Sequence, residues 1–365
     1  MQTLQRGTPQ EAGLDEGRLE RAAALLEQQV ADKTLGSAAL LVGRDNTIAL
    51  SRGYGHLRPD GSGAAVGPDT IFLLASITKP VTACALMLLV ERGQVCLSDP
   101  VGHYLPEYRG GLRDKVRVQD ILSHTSGMPD MLPENITLRR RHAPLAEFVD
   151  CALKTPLHFE PNTDFSYQSK GILLAAEIVQ RVSGQALREF ERQEIFAPLG
   201  MGHSALGVGD FALEDTVWCG MDLEEGEDAR HWGPNSPYWR DIGAPWGGMH
   251  SCVEDLAVLL QTMLNGGTYG ANSVFSPAAV QAMLRDQNGH LPAPWGLGWG
   301  LGRSIVWNCW GDLVSPATFG HTGATGTVAW ADPATGLLCV ILTNQMVAGG
   351  SLLRRVSNGV AASVM

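Results

Sequence analysis

The stretch IFLLASITKPVTACALMLLVERGQV, residues 71–95, decides how the rest of the chain is read. It opens on Ser76-Ile77-Thr78-Lys79 and runs through an apolar segment to Glu91-Arg92-Gly93. Pro80 suits the front of a helix, where a missing N–H costs little, and Gly93 is a common helix stop. The pattern predicts a mostly buried helix with Ser76 and Lys79 in its first turn. At i, i+3 their Cβ atoms fall roughly 5–6 Å apart on one face. A hydroxyl and an amine would then meet at a helix N-terminus, whose free N–H groups favour negative charge. Such a pair can activate a serine nucleophile. A serine at a helix start is also the ordinary N-cap. The stretch alone leaves both readings standing.

Upstream, residues 15–31 place Leu19, Ala23, Leu26 and Val30 at helical spacing and predict an amphipathic helix. SAALLVGRDNTIALSRGYG follows, two apolar runs around Arg44-Asp45-Asn46-Thr47, a hairpin signal. Beyond residue 100 helical patterns dominate: VRVQDILSHTSG, LAEFVDCALKT, KGILLAAEIVQRVSG and ALREFERQEIFAPLGM. From 241 the pattern switches back. Ser251-Cys252-Val253-Glu254 reads as a capping box opening a helix. WGLGWGLG, TFGHTGATGTVAWADP and GLLCVILTNQ read as strands, with Asp332–Gly336 as the turn between the last two. LLRRVSNGVAASVM reads as a final helix over the sheet. The expected organisation is a discontinuous α/β domain from 1–105 and 241–365, a helical domain over 106–240, and a site at their interface.

At 365 residues, with 44% hydrophobic and 18% charged side chains, the composition is that of a globular protein. The net charge of −11 argues against a nucleic-acid partner. The one basic run, Arg139-Arg140-Arg141, reads as a solvated turn or helix face. The N-terminus has no secretory h-region, and the apolar run 83–90 is too short to span a bilayer. Seven cysteines without CxxC spacing read as reduced thiols. The expectation is a cytoplasmic protein without a membrane partner. HExxH, GxxxxGK, GxGxxG and GxSxG are all missing from the sequence, the last counting against an α/β-hydrolase elbow. His231, His250 and the acidic run 223–228 read as solvated or structural, because no ligand spacing repeats; neither a metal nor a cofactor is expected.

Two further stretches join Ser76. In Pro161-Asn162-Thr163-Asp164-Phe165-Ser166-Tyr167-Gln168-Ser169, a polar turn presents a tyrosine ahead of a helix. In Phe319-Gly320-His321-Thr322-Gly323-Ala324-Thr325-Gly326, a strand carries His and Thr between glycines, which mark close approach by backbone or ligand. The order Ser-x-x-Lys, Tyr-x-Ser, His-Thr-Gly resembles the serine β-lactamase and penicillin-binding-protein superfamily. It is closest in character to the class C β-lactamase-like branch that contains the family VIII carboxylesterases. ILSHTSGMP, FAPLGM, WGGMHSCVEDLA and GLGWG fit that layout along nearly the whole chain.

The resemblance implies an α/β (α+β) fold of the β-lactamase/transpeptidase type, an antiparallel sheet flanked by helices with an inserted helical domain. It also implies an acyl-enzyme on Ser76, with Lys79 and Tyr167 sharing the general-base role. Either a neutral Lys79 or a phenolate Tyr167 could take the serine proton. The oxyanion hole would be the backbone N–H groups of Ser76 and Ala324. Ser169, His321, Thr322, Gly323 and Trp246 would bind substrate. Two departures from the family pattern bear on which one. Ser169 stands where the family has Asn, and His321 where it has Lys. No lysine follows Lys170, so Lys79 is read as the only lysine near the site. Without a permanent cation at 321, a substrate carboxylate loses its anchor. The function expected is a carboxylesterase on short-chain or aryl esters. The alternatives are a D-amino-acid peptidase or amidase, a weak β-lactamase, or a silent binding protein of the same fold.

Overall fold

The computed structural model describes residues 3–221, 229–304, 308 and 310–365. The acidic run 223–228 and Trp307 therefore lie outside the described residues.

Seven strands build the main sheet: β1 (Gln5–Arg6), β2 (Ser37–Arg44), β3 (Thr47–Gly55), β4 (Gly300–Leu301), β5 (Phe319–Gly323), β6 (Thr327–Asp332) and β7 (Leu337–Thr343), in the spatial order β1-β3-β2-β7-β6-β5-β4. All neighbours are antiparallel except the short β1, which runs parallel to β3. The N-terminal hairpin is thus joined to the C-terminal meander through β7 on β2. Ala38 pairs with Thr343 and Arg44 with Leu337. The expected strand WGLGWGLG is a strand only at Gly300–Leu301.

Side chains along a strand alternate between faces, and β7 shows what that does here. Leu338, Val340 and Leu342 enter one core, while Leu337, Cys339 and Ile341 enter the other. Antiparallel sheets often leave one face wet, with apolar and polar residues alternating. This sheet is covered on both faces, so LLCVIL can be continuously apolar. One face packs against α1 (Glu16–Ala31) and the C-terminal helix α5 (Ser351–Ala361), which also touch each other. The other face meets α2 (Thr78–Glu91) and α4 (Val253–Leu264) and continues into the helical part of the chain.

That helical part includes Val118–Leu122, Asn135–Arg140, Leu145–Lys154 and α3 (Lys170–Ser183), with α2 and α3 packed side by side. A three-stranded sheet of Phe72–Leu73, Met249–Ser251 and Ala205–Leu206 stitches the two parts together. Two local expectations shift. The cap of α4 is Cys252, whose sulfur accepts from the Asp255 amide, not Ser251, which ends the preceding strand. Arg139 is buried, its guanidinium 3.7 Å from the Trp239 ring centroid and 5.1 Å from that of Trp232, rather than solvated.

Candidate active site

Ser76 sits one step outside the α-helix, in a 3-10 turn over Ala75–Ile77 that leads into α2. Ala75 enters that turn at φ 51°, a left-handed conformation that costs a non-glycine residue free energy. Neighbouring segments hold it there. Thr78 Oγ1 donates to the Ala75 carbonyl at 2.7 Å and accepts from the Met249 amide at 3.0 Å. Thr325 Oγ1 donates to the Leu73 carbonyl and Thr327 Oγ1 to that of Leu74, each at 2.8 Å. The turn that carries the hydroxyl is therefore clamped by β6, its entry loop and the Met249 strand.

Lys79 lies on the second position of α2 and is 1% exposed. Its Nζ is 2.8 Å from Ser76 Oγ and donates to the Trp246 carbonyl at 2.9 Å. Burial lowers its pKa to about 7, with the Asp130 charge pulling the other way. Tyr167 hydrogen-bonds Ser76 from the helical side, and its ring centroid is 4.9 Å from Nζ. Burial pushes its phenol far up. Ser76, Lys79 and Tyr167, spread over 92 positions of sequence, thus meet at one hydroxyl.

A cavity of about 250 Å³ borders Ser76. Its walls include Leu73, Met131, Met221, Trp239, Trp246 and Met346, with Thr322, Gly323 and Ala324 of the β5–β6 corner on one side. Among the described residues that line it, Asp130 is the only charged one. Ser169 is on the wall as well. Its Oγ donates to Asp130 Oδ1 at 2.8 Å, so the hydroxyl is committed to that carboxylate.

His321 is not on the cavity wall. Along β5 alternate residues face opposite ways, and its imidazole packs beside Tyr167 and Trp295 at centroid distances of 6.0 and 5.8 Å. Nδ1 is 2.7 Å from the Thr322 carbonyl and must carry the proton, since a carbonyl only accepts. Burial and the nearby Lys79 push the ring down to about 3. His321 is neutral throughout the working range.

Three residues that sequence reasoning passed over share this environment. His124, at φ 63°, lies tilted 4.6 Å from the Tyr167 ring and edge-on 5.0 Å from that of Trp295, and its Nδ1 accepts from the Gln168 amide. Asp130 follows the SHTSGMP run directly and binds Ser169 through both side chain and backbone. Lys170 corrects the reading of Lys79 as the only lysine nearby. It is 2% exposed, and Met131, Ser169 and Trp246 line both its small pocket and the cavity. Burial lowers its pKa to about 8, opposed by Glu134 and Asp130. A lysine beside a serine at a helix start carried no sequence signal of burial.

The family model for beta-lactamases matches residues 22–359. The chain belongs to the beta-lactamase family. A Salmonella enteritidis PT4 protein, provisionally described as a D-alanyl-D-alanine carboxypeptidase, is 30% identical over 372 residues, spanning 93% of this chain and 85% of its own. A penicillin-binding protein homologue from Caulobacter crescentus superposes with a TM-score of 0.77 at 24% identity, covering 96% of this chain and 99% of that one. A family VIII carboxylesterase gives 0.75 at 20% identity, covering 95% and 98%. These matches establish the fold and place this beta-lactamase-family chain among serine hydrolases. No helix among the described residues is long and apolar enough to cross a membrane.

Proposed function

We propose that the protein is a serine carboxylesterase acting on uncharged short-chain or aryl esters through an acyl-enzyme on Ser76. One observation carries the reading: among the described residues, the wall of the cavity beside Ser76 is mostly apolar and its single charge is the Asp130 carboxylate. A substrate carboxylate of the peptidase or lactam kind would meet repulsion from Asp130, and the neutral His321 behind the wall supplies no counter-charge. An apolar acyl group is instead buried against Trp239, Trp246 and the methionines, gaining roughly 25 cal/mol per Å².

The proton inventory favours Lys79 over Tyr167 as the base. With Lys79 near pH 7 and Tyr167 far above it, the amine is the group with a free lone pair and the phenol stays protonated. Lys79 takes the Ser76 hydroxyl proton as Oγ adds to the ester carbonyl. The developing oxyanion sits between the N–H groups of Ser76 and Ala324, each such donor contributing about 10²–10³ in rate. Tyr167 protonates the departing alkoxide and recovers its proton from the Lys79 ammonium. Water then enters, gives its proton to the same pair and releases the acid.

A D-amino-acid peptidase or amidase is the second reading, favoured by the Salmonella relative's description. Turnover of p-nitrophenyl acyl esters beside nitrocefin and D-Ala-p-nitroanilide discriminates them. The expected result is esters turned over fastest, lost in Ser76→Ala along with fluorophosphonate labelling. Faster turnover of the lactam or the anilide overturns the esterase assignment. Absence of labelling, with Ser76→Ala behaving as wild type, overturns hydrolase action altogether.

A further inference from the structure

A second constellation forms where the Met249–Ser251 strand turns into α4, away from the residues that line the Ser76 cavity. Cys252 caps α4 and Asp255 lies three residues on, in the same first turn. His203 comes from the turn that follows the short helix Ala197–Leu199. One ligand atom from each, sulfur, carboxylate oxygen and imidazole nitrogen, lies within 4.8 Å of the other two. Residues 49 positions apart in sequence are thus gathered at one point.

The surroundings of these atoms are those a metal ligand needs. Metal-binding groups are oriented by hydrogen bonds from a second layer of residues. Asp255 Oδ2 accepts from the His203 amide and from Ser204 Oγ, both at 2.8 Å. Ser204 Oγ is in turn 2.8 Å from Ser251 Oγ. The carboxylate is therefore fixed through one oxygen, and Oδ1 carries none of these bonds. The Cys252 sulfur accepts the Asp255 N–H at 3.5 Å, while burial and the Asp255 charge keep it a thiol until a cation displaces the proton. The same Asp255 bond anchors the His203 backbone, so its exposed ring swings from a fixed point.

We propose that His203, Cys252 and Asp255 bind a zinc-like divalent cation, with water completing the tetrahedron. A sulfur, nitrogen and oxygen set selects a borderline-soft ion over magnesium or calcium, which take oxygen ligands. Bond lengths of about 2.0–2.3 Å around zinc bring ligand atoms to roughly 3.3–3.7 Å of one another. From within 4.8 Å of one another the atoms must close by up to about 1 Å, the exposed His203 ring by rotating and the Cys252 and Asp255 side chains by adjusting with it. On binding, the Cys252 S–H bond breaks, an S–Zn bond forms and the proton leaves to solvent; the imidazole donates its lone pair unprotonated. The ion ties the chain leaving the helical part to the first turn of α4, which packs on the sheet. It takes no part in the chemistry at Ser76.

The test needs no activity measurement. The full-length protein, freed of metal with a chelator, is titrated with Co²⁺ and then Zn²⁺. The expected result is one equivalent bound, a thiolate-to-cobalt charge-transfer band that Zn²⁺ abolishes, and a Tm about 4 °C higher at a hundredfold excess over Kd. Cys252→Ser keeps an N-cap and so keeps the fold. It loses both the band and the Tm shift, and His203→Ala weakens affinity at least about tenfold. A band undiminished in Cys252→Ser assigns the thiolate to another cysteine and overturns the proposal. So does a wild type that gives no band, or a Tm shift that Mg²⁺ reproduces.

Discussion

Replacing Lys79 by methionine should abolish turnover and yet make the folded protein more stable at neutral pH. The lysine is held at a pKa of about 7 against an ordinary 10.5 because its amine is buried. With the folded-state pKa below the unfolded one, the folded protein binds fewer protons between those values. Stability therefore rises with pH through that window, and the penalty is complete below about pH 7. Linkage puts it at roughly 4 kcal/mol at about pH 7 and roughly 1–2 kcal/mol at about pH 9.5. Methionine removes that term. It also loses the bonds to Ser76 and to the Trp246 carbonyl, a cost of about 1–3 kcal/mol that does not vary with pH. Urea unfolding of both proteins should show Lys79→Met more stable by about 1–3 kcal/mol at about pH 7, with the advantage falling by roughly 2–3 kcal/mol at about pH 9.5. Ester turnover should drop by at least about 10³. A stability difference that is the same at both pH values would refute a neutralised Lys79, and with it the amine as base.

Three further outcomes follow from the same geometry. For wild type, kcat/KM on p-nitrophenyl butyrate should rise through about pH 7 as Lys79 loses its proton and hold to about pH 9, since Tyr167 stays protonated; a flat profile contradicts the assignment. Glu191 is buried against Thr82 with its pKa raised to about 8, and Thr82 Oγ1 donates to the Pro245 carbonyl at 2.9 Å. Burial raises that pKa, against the Thr82 hydroxyl 3.3 Å from Glu191 Oε1, which lowers it. A folded-state pKa above the unfolded one means stability falls as pH rises from about 4.5 to about 8, so Glu191→Gln should match wild type near pH 4.5 and exceed it by roughly 3–4 kcal/mol at about pH 8.5. Equal pH slopes in thermal unfolding would rule that out. In Gly323→Ala the new Cβ would stand 2.1 Å from the Leu74 carbonyl and 2.2 Å from Thr327 Oγ1. The clamp behind Ser76 must shift, and turnover should fall at least about 100-fold with secondary structure retained by circular dichroism; wild-type turnover would mean the clamp is dispensable.

The sequence announces its elements better than its neighbourhoods. The run LLCVILT reads as a strand from its length and branching, and it is one. That it pairs with β2, some 300 residues earlier, depends on which faces need covering, and no local pattern states this. Ser76, Lys79 and Tyr167 are legible because their spacing and order carry chemistry. Lys170 and Asp130 are not, because what distinguishes them is burial beside Trp246 and Ser169, a property of the assembled chain. Arg139 misled for the same reason: an arginine triplet signals solvent until two tryptophans from 90 or more residues away close on one member. At the start of α4 the hydroxyl of Ser251 outshone the thiol next to it as a cap, because serine is the commoner one.

The clamp around Ser76 also sets an order of events in time. Ser76 and Lys79 leave the ribosome with the first quarter of the chain. The groups that hold them are Trp246, Met249, Thr325 and Thr327. Domains complete from the N-terminus forward, and long-range pairings close last. A nascent or truncated chain ending before β6 thus carries the serine and the lysine without the frame that desolvates one and aims the other. If Ser76 is the nucleophile proposed above, its silence during synthesis is built into the topology, and acylation by a small covalent probe reads out the last strands taking their place.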